Sequence, residues 1–159
     1  MTKVNLNEKI PMTQEGYDDQ RKELRHFIDV VRPEVIEELK EARAQGDLSE
    51  NADYDAARDR QAYVEAKIRE LERYLDNAEI ISASTDNKTV RLGTTVTILD
   101  LEMDEEETFK IVGSPEADPD NGKLSNVSPL AQALLESSVG DEVTVKVTKP
   151  YSVKVLKIA

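Results

Sequence analysis

From Tyr17 onward the apolar side chains fall on one helical stripe, Tyr17, Leu24, Ile28, Val31, Val35, Leu39 and Ala42. Steps of three, four and seven keep these positions on one face of an α-helix. A second stripe, Ala57, Gln61, Val64, Ile68, Leu71, Leu75 and Ala78, alternates steps of four and three around one polar member. Two heptad-like stripes joined by a short turn predict an antiparallel coiled-coil hairpin. At about 1.5 Å rise per residue, arms of roughly 30 residues would reach about 45 Å. Pro33 lies inside the first arm, where its ring and missing N–H predict a kink or local break. Residues 1 to 12 read as a tail with Pro11 near its end, and Thr13 with Gly16 three residues on reads as an imperfect helix start.

After Ile81 the period changes from helical to two. Ser82 to Lys88 is a polar linker, and Thr89 to Leu101 and Thr108 to Val112 carry strand-forming residues. Glu142 to Val147 and Ser152 to Ile158 alternate polar with apolar across a turn at Lys149-Pro150-Tyr151, which predicts a hairpin. Pro129 to Glu136 is a short helix with Ser128 as its N-cap and proline at its first position. The fold class is therefore α+β: a helical hairpin over residues 1–81, and a small antiparallel sheet with one short helix over 82–159.

Charge narrows the partners. The net charge is −12, with 21 Lys and Arg against 33 Asp and Glu, and neither half of the chain is basic. A broad phosphate-binding face is thereby excluded, so any contact with nucleic acid must be local and shared with a partner. There is no cysteine, and the N-terminus lacks the apolar core of a signal peptide. A cytoplasmic protein without membrane attachment is expected. No Walker A loop, dinucleotide fingerprint or zinc motif occurs. The acidic runs Asp104 to Glu107 and Glu116 to Gly122 fall in predicted loops, and the second lacks the ligand spacing and closing Glu of an EF-hand.

The unusual chemistry lies at the turn between the stripes, Arg43-Ala-Gln-Gly-Asp-Leu-Ser-Glu-Asn-Ala-Asp-Tyr54. Two readings of its acids stand side by side. In the first, Gly46 ends one helix in a left-handed conformation, Asp47 N-caps the next, and Glu50 completes a capping box. In the second, Asp47 and Glu50 are presented at the end of the arms as hard oxygen ligands for magnesium. Two carboxylates leave an octahedral shell incomplete, so the other ligands would come from elsewhere. The single histidine, His26, lies mid-arm and offers no general base at the turn.

The run Gly46 to Tyr54, with Ala56-Ala57-Arg58 and Gln61, resembles the tip signature of the bacterial Gre transcript-cleavage factors, GreA type. The likeness continues in Pro11-Met12-Thr13, Arg32-Pro33-Glu34, Thr95-Val96-Thr97, Glu116-Ala117-Asp118 and Ser128-Pro129-Leu130-Ala131. What this resemblance implies is a second domain similar to the FKBP fold that binds RNA polymerase, and a hairpin that enters its secondary channel as a monomer. Asp47 and Glu50 would then share the second catalytic Mg²⁺ with the polymerase, without binding it alone, and cleavage of the backtracked nascent RNA 3′ end would rescue arrested complexes. The chain would be an accessory factor, not an enzyme itself. By the same resemblance Gly46, Leu48, Ser49, Asn51 and Tyr54 shape the tip. Arg43 and Arg58 would contact RNA or polymerase, or pair within the chain with Asp47 or Asp53. A non-catalytic channel binder and a prolyl-isomerase-like folding factor are the rival functions, the latter disfavoured by two Phe and no Trp.

Overall fold

A computed structural model describes residues 8–47, 51–82 and 87–159. The chain divides into two compact units, one formed by Asp18–Asn77 and the other by Lys9–Tyr17 with Ala78–Ala159. The boundary thus falls ahead of the one read at residue 81, and the second unit also takes in a piece of the N-terminal segment.

The first unit is the helical hairpin. Helix α1 (Gln14–His26) crosses into it from the second unit, a π-helical turn (Phe27–Val31) follows, then α2 (Arg32–Ala44) and, after the turn, α3 (Ala52–Asp76). The expected disturbance at Pro33 takes the form of this π-turn. Arg32 N–H donates to Phe27 O, five residues back, while His26, Val31 and Arg32 all keep right-handed helical angles. The chain therefore changes hydrogen-bond register just before the residue that cannot donate, and the helix continues. The widened turn also brings both Phe27 and Ile28 against the hairpin core of Val35, Leu39, Ala57, Val64 and Ile68. The second stripe is corrected at its end: α3 stops at Asp76, and Ala78 begins a strand.

In the second unit, β1 (Ile10–Met12) pairs in parallel with β2 (Ala78–Ile80). The tail expected over residues 1 to 12 is thus corrected at its last three positions, where Met12 is fully buried. The main sheet holds β3 (Thr95–Asp100), β4 (Glu105–Val112), β5 (Lys123–Ser125), β6 (Glu142–Val145) and β7 (Tyr151–Ile158), in the order β5-β4-β3-β7-β6. Its central pairings are antiparallel, but edge strand β5 runs parallel to β4. This three-residue strand is too short to show a period in sequence.

Alternation sets the core. Val96 and Ile98 of β3 point inward with Val153 and Val155 of β7. Between Thr97 and Ile98 the register slips, so that Lys157 pairs with Thr97 and Val155 with Ile98, leaving Leu156 as the extra residue. That bulge moves the buried series from Val155 to Ile158 and explains why strict alternation fails there. Helix α4 (Pro129–Leu134) starts as predicted: Ser128 Oγ accepts from Ala131 N–H at 3.2 Å, and Ala131 and Leu134 are buried. The acidic run at Glu105 to Glu107 is strand, not loop. Asp100 Oδ1 accepts from Glu102 and Met103 N–H at 2.8 and 3.1 Å, and Asp104 turns the chain with φ +55.

The start of α1 is held from far along the chain. Gly16 N–H donates to Thr13 Oγ1 at 3.1 Å, an N-cap. Thr13 in turn donates its N–H to Glu116 Oε2 at 2.9 Å and its hydroxyl to Glu116 Oε1 at 2.5 Å. The imperfect helix start is completed by a carboxylate that is not local.

Candidate functional site

The turn between α2 and α3 is built from both sides. Gln45 and Gly46 N–H groups reach back to Ala42 O and Arg43 O at 3.3 and 3.4 Å. Gly46 has φ +120, a conformation that a side chain would strain, and nothing crowds the space a Cβ would take. Glycine is required here by backbone angle alone. Asp47 follows and is exposed. Leu48, Ser49 and Glu50, named above as tip residues, lie outside the described residues.

On the far side, Asn51 is extended (φ −92, ψ 97), and its Oδ1 accepts from Tyr54 N–H at 3.0 Å. Its amide nitrogen donates to Ala42 O at 2.6 Å, tying the end of α2 to the start of α3. The capping box is corrected accordingly: Asn51, not Asp47, is the N-cap of α3. A neutral amide suits the position because it accepts from the helix start and donates to the helix end at once. Asp53 and Asp55 add negative charge in the first turn, where the helix dipole favours it.

Tyr54 gathers the two arginines that flank the turn. The guanidinium carbons of Arg43 and Arg58 lie 5.8 and 6.0 Å from its ring centre, one from each arm. Such contacts contribute about 0.5–1 kcal/mol each at exposed sites. Hydrogen bonding to Arg43, with the field of Arg58 behind it, holds the Tyr54 phenol below its usual value. Arg43, Asn51, Tyr54 and Arg58 thus form one connected group at the base of the turn. An open cleft of 290 Å³ lined by Gln45, Asp47, Asn51, Ala52 and Asp53 lies beside it.

Below the turn the arms are strapped by ion pairs that periodicity does not reveal. Arg32 bridges to Glu65 with two of its nitrogens, Nε to Oε1 at 2.8 Å and Nη2 to Oε2 at 2.9 Å. Arg60 of α3 reaches Glu34 and Glu38 of α2. Read singly, these side chains are surface charges. Their only sequence signal is opposite sign at facing heights on two antiparallel arms.

For a divalent cation the donor chemistry of Asp47 is suitable, since a carboxylate in an open position is a hard oxygen ligand. Among the described residues no three His, Cys, Asp or Glu side chains come together to hold a metal.

A helical hairpin with an acid-bearing turn, followed along the chain by a sheet unit with one short helix, defines a two-unit α+β protein. The chain matches a model described as transcription elongation factor, N-terminal, over residues 10–80, and one described as transcription elongation factor, GreA/GreB, C-term, over residues 85–159. It belongs to the GreA/GreB family of transcription elongation factors. It is 48% identical over 156 residues to transcription elongation factor GreA of Mesomycoplasma hyopneumoniae (strain 232), covering 98% of each chain. With the GreA of Macrococcus caseolyticus (strain JCSC5402) it shares 51% identity over 142 residues, 89% of this chain and 90% of the other. Among solved structures, the GreA factor homolog 1 (Gfh1) protein of Thermus thermophilus aligns over 95% of this chain and 99% of its own, with 26% identity and a TM-score of 0.45.

Proposed function

We propose that this elongation factor acts on RNA polymerase as an accessory protein, carrying its hairpin tip into the secondary channel and stimulating cleavage of backtracked nascent RNA. The observation that carries this reading is the division of roles at the turn. Asn51, a neutral amide, takes the N-cap of α3, while the sequence places acids at 47 and 50 of the same turn. Asp47 and Glu50 are the residues that would hold the second Mg²⁺ of the polymerase site and orient a water near it. When bound there, the ion supplies charge stabilisation and an acidified water for two-metal phosphodiester hydrolysis. Arg43 and Arg58, stacked on Tyr54, keep the base of the turn closed and place positive charge where an RNA phosphate would pass. The sheet unit holds the factor on the polymerase.

Asp47→Ala with Glu50→Ala is expected to abolish stimulated cleavage in stalled complexes while polymerase binding persists. Retained cleavage would defeat the proposal, and inhibition by the wild type would replace it with a non-cleaving channel binder. Isothermal titration of the isolated wild-type chain with Mg²⁺ should show no tight site, because the donor set is shared; submillimolar binding would contradict the sharing.

A further inference from the structure

We infer that Glu116 is a positioning residue that supplies, from a hundred residues along the chain, the missing half of the capping box of α1, and so fixes the root of the first arm. A capping box needs a Glu or Gln at the third helical position to return a bond to the N-cap N–H. Here that position is Gly16. The Thr13 N–H instead donates to Glu116 Oε2, and the Thr13 hydroxyl to Glu116 Oε1. Glu116 also accepts from Gly113 N–H at 3.3 Å, so one carboxylate binds the start of its own turn and the start of the helix.

The surrounding backbone is shaped to this carboxylate. A Cβ at Gly16 would lie 1.9 Å from Glu116 Cδ and Oε1, so the glycine makes the space that the carboxylate fills. A Cβ at Gly113 would lie 1.9 Å from Pro11 O, so β1 packs directly on the turn that carries Glu116. Strand β1 enters α1, strand β2 leaves α3, and the two pair in parallel, with Ile81 N–H extending the pairing to Met12 O at 2.8 Å. Both chain segments that pass to the hairpin are therefore fastened within the second unit, and Glu116 is the side chain that closes the fastening. For a factor held by one unit and acting through the other, a loosened start of α1 would lower the rate of cleavage without changing the surface that binds.

This inference rests on the proposed cleavage activity for its functional arm only. The test compares wild type, Glu116→Ala, and the double variant Glu116→Ala with Gly16→Glu, which moves the carboxylate to the local third position. Three quantities are read in the full chain: exchange of the Gly16 and Thr13 amides, affinity for polymerase, and cleavage rate at saturating factor. In Glu116→Ala those amides should exchange about fivefold faster or more, as loss of a cap implies. Affinity should hold while the saturated rate falls about tenfold. The double variant should recover most of both losses, which a merely destabilised fold would not. Unchanged amide protection in Glu116→Ala, or lost protection with an undiminished saturated rate, overturns the inference. Should Glu116→Ala fail to fold, the double variant decides: a folded, active double variant supports the role, and an unfolded one refutes it. If the wild type itself stimulates no cleavage, the proposed function fails, and the exchange comparison alone upholds or overturns the remote cap.

Discussion

Replacing Asn51 tests how the tip is closed. Its side chain makes two bonds, accepting from Tyr54 N–H at 3.0 Å and donating to Ala42 O at 2.6 Å. Removal of an N-cap costs about 1 kcal/mol. A net hydrogen bond between neutral groups contributes about 1 kcal/mol more. Asn51→Ala should therefore destabilise the turn by about 2 kcal/mol, which is about 30-fold in the local opening equilibrium. Asn51→Asp separates the two contributions, because a carboxylate still caps α3 but cannot donate to Ala42 O. Its cost should be about half that of the alanine variant. Native-state hydrogen exchange at the Tyr54 amide reads the cap, and exchange at the Gln45 amide, which also bonds Ala42 O at 3.3 Å, reads the end of α2. Tyr54 exchange within about twofold of wild type in Asn51→Ala would refute the reasoning, as would an aspartate variant that opens as readily as the alanine one.

Two further predictions follow from the arms and the tyrosines. The Arg32–Glu65 bridge, two-pronged but with each side chain 35% exposed, should show a coupling of about 0.5–1 kcal/mol in a double-mutant cycle that shrinks as salt rises; a salt-independent coupling would contradict it. Tyr54, lowered first by hydrogen bonding to Arg43, should titrate below the ordinary phenol and move up in Arg43→Ala. Tyr74 and Tyr151, raised first by burial, should titrate above the ordinary phenol. By linkage, the contribution of Tyr54 is present above the unfolded value near 10 and lost as pH falls through its lower folded value, whereas those of Tyr74 and Tyr151 are present below 10 and lost as pH rises through theirs. Phenolate absorbance with single Tyr→Phe variants checks all three, and an unmoved Tyr54 midpoint in Arg43→Ala would be the contrary result.

What could be read in one dimension was what repeats. The two stripes predict the hairpin because burial on a helix recurs at three and four residues, and Val35, Leu39, Val64 and Ile68 are buried as that period requires. Ser128 and Pro129 announce α4 because a cap and a first-turn proline act locally. What escaped was whatever joins distant residues or is too short to repeat. Strand β5 has three residues, too few to show a period, and the bulge at Leu156 interrupts the alternation by which β7 is legible. Glu116 looked like one acid among several in a loop, and only the folded chain sets it against Thr13. Gly16 carried a signal in retrospect, a glycine where a capping box wants glutamate, but a local rule reads that as a weak start and not as a space kept for another residue.

The turn illustrates how side-chain chemistry sorts the work. Closing it requires a group that accepts from a helix N-terminus and donates to a helix C-terminus across a gap, and the Asn51 amide does both, where a carboxylate could only accept. A carboxylate at position 51 would cap α3 yet face the carbonyl of Ala42, like against like. Asn51 takes the structural post, and the sequence keeps acids at 47 and 50, where a purely structural turn would do as well with serine or asparagine. Carboxylates offer what those residues lack, a full negative charge for a hard cation. The assignment of Asn51 to the cap fails if the asparagine variants leave the helix start unchanged.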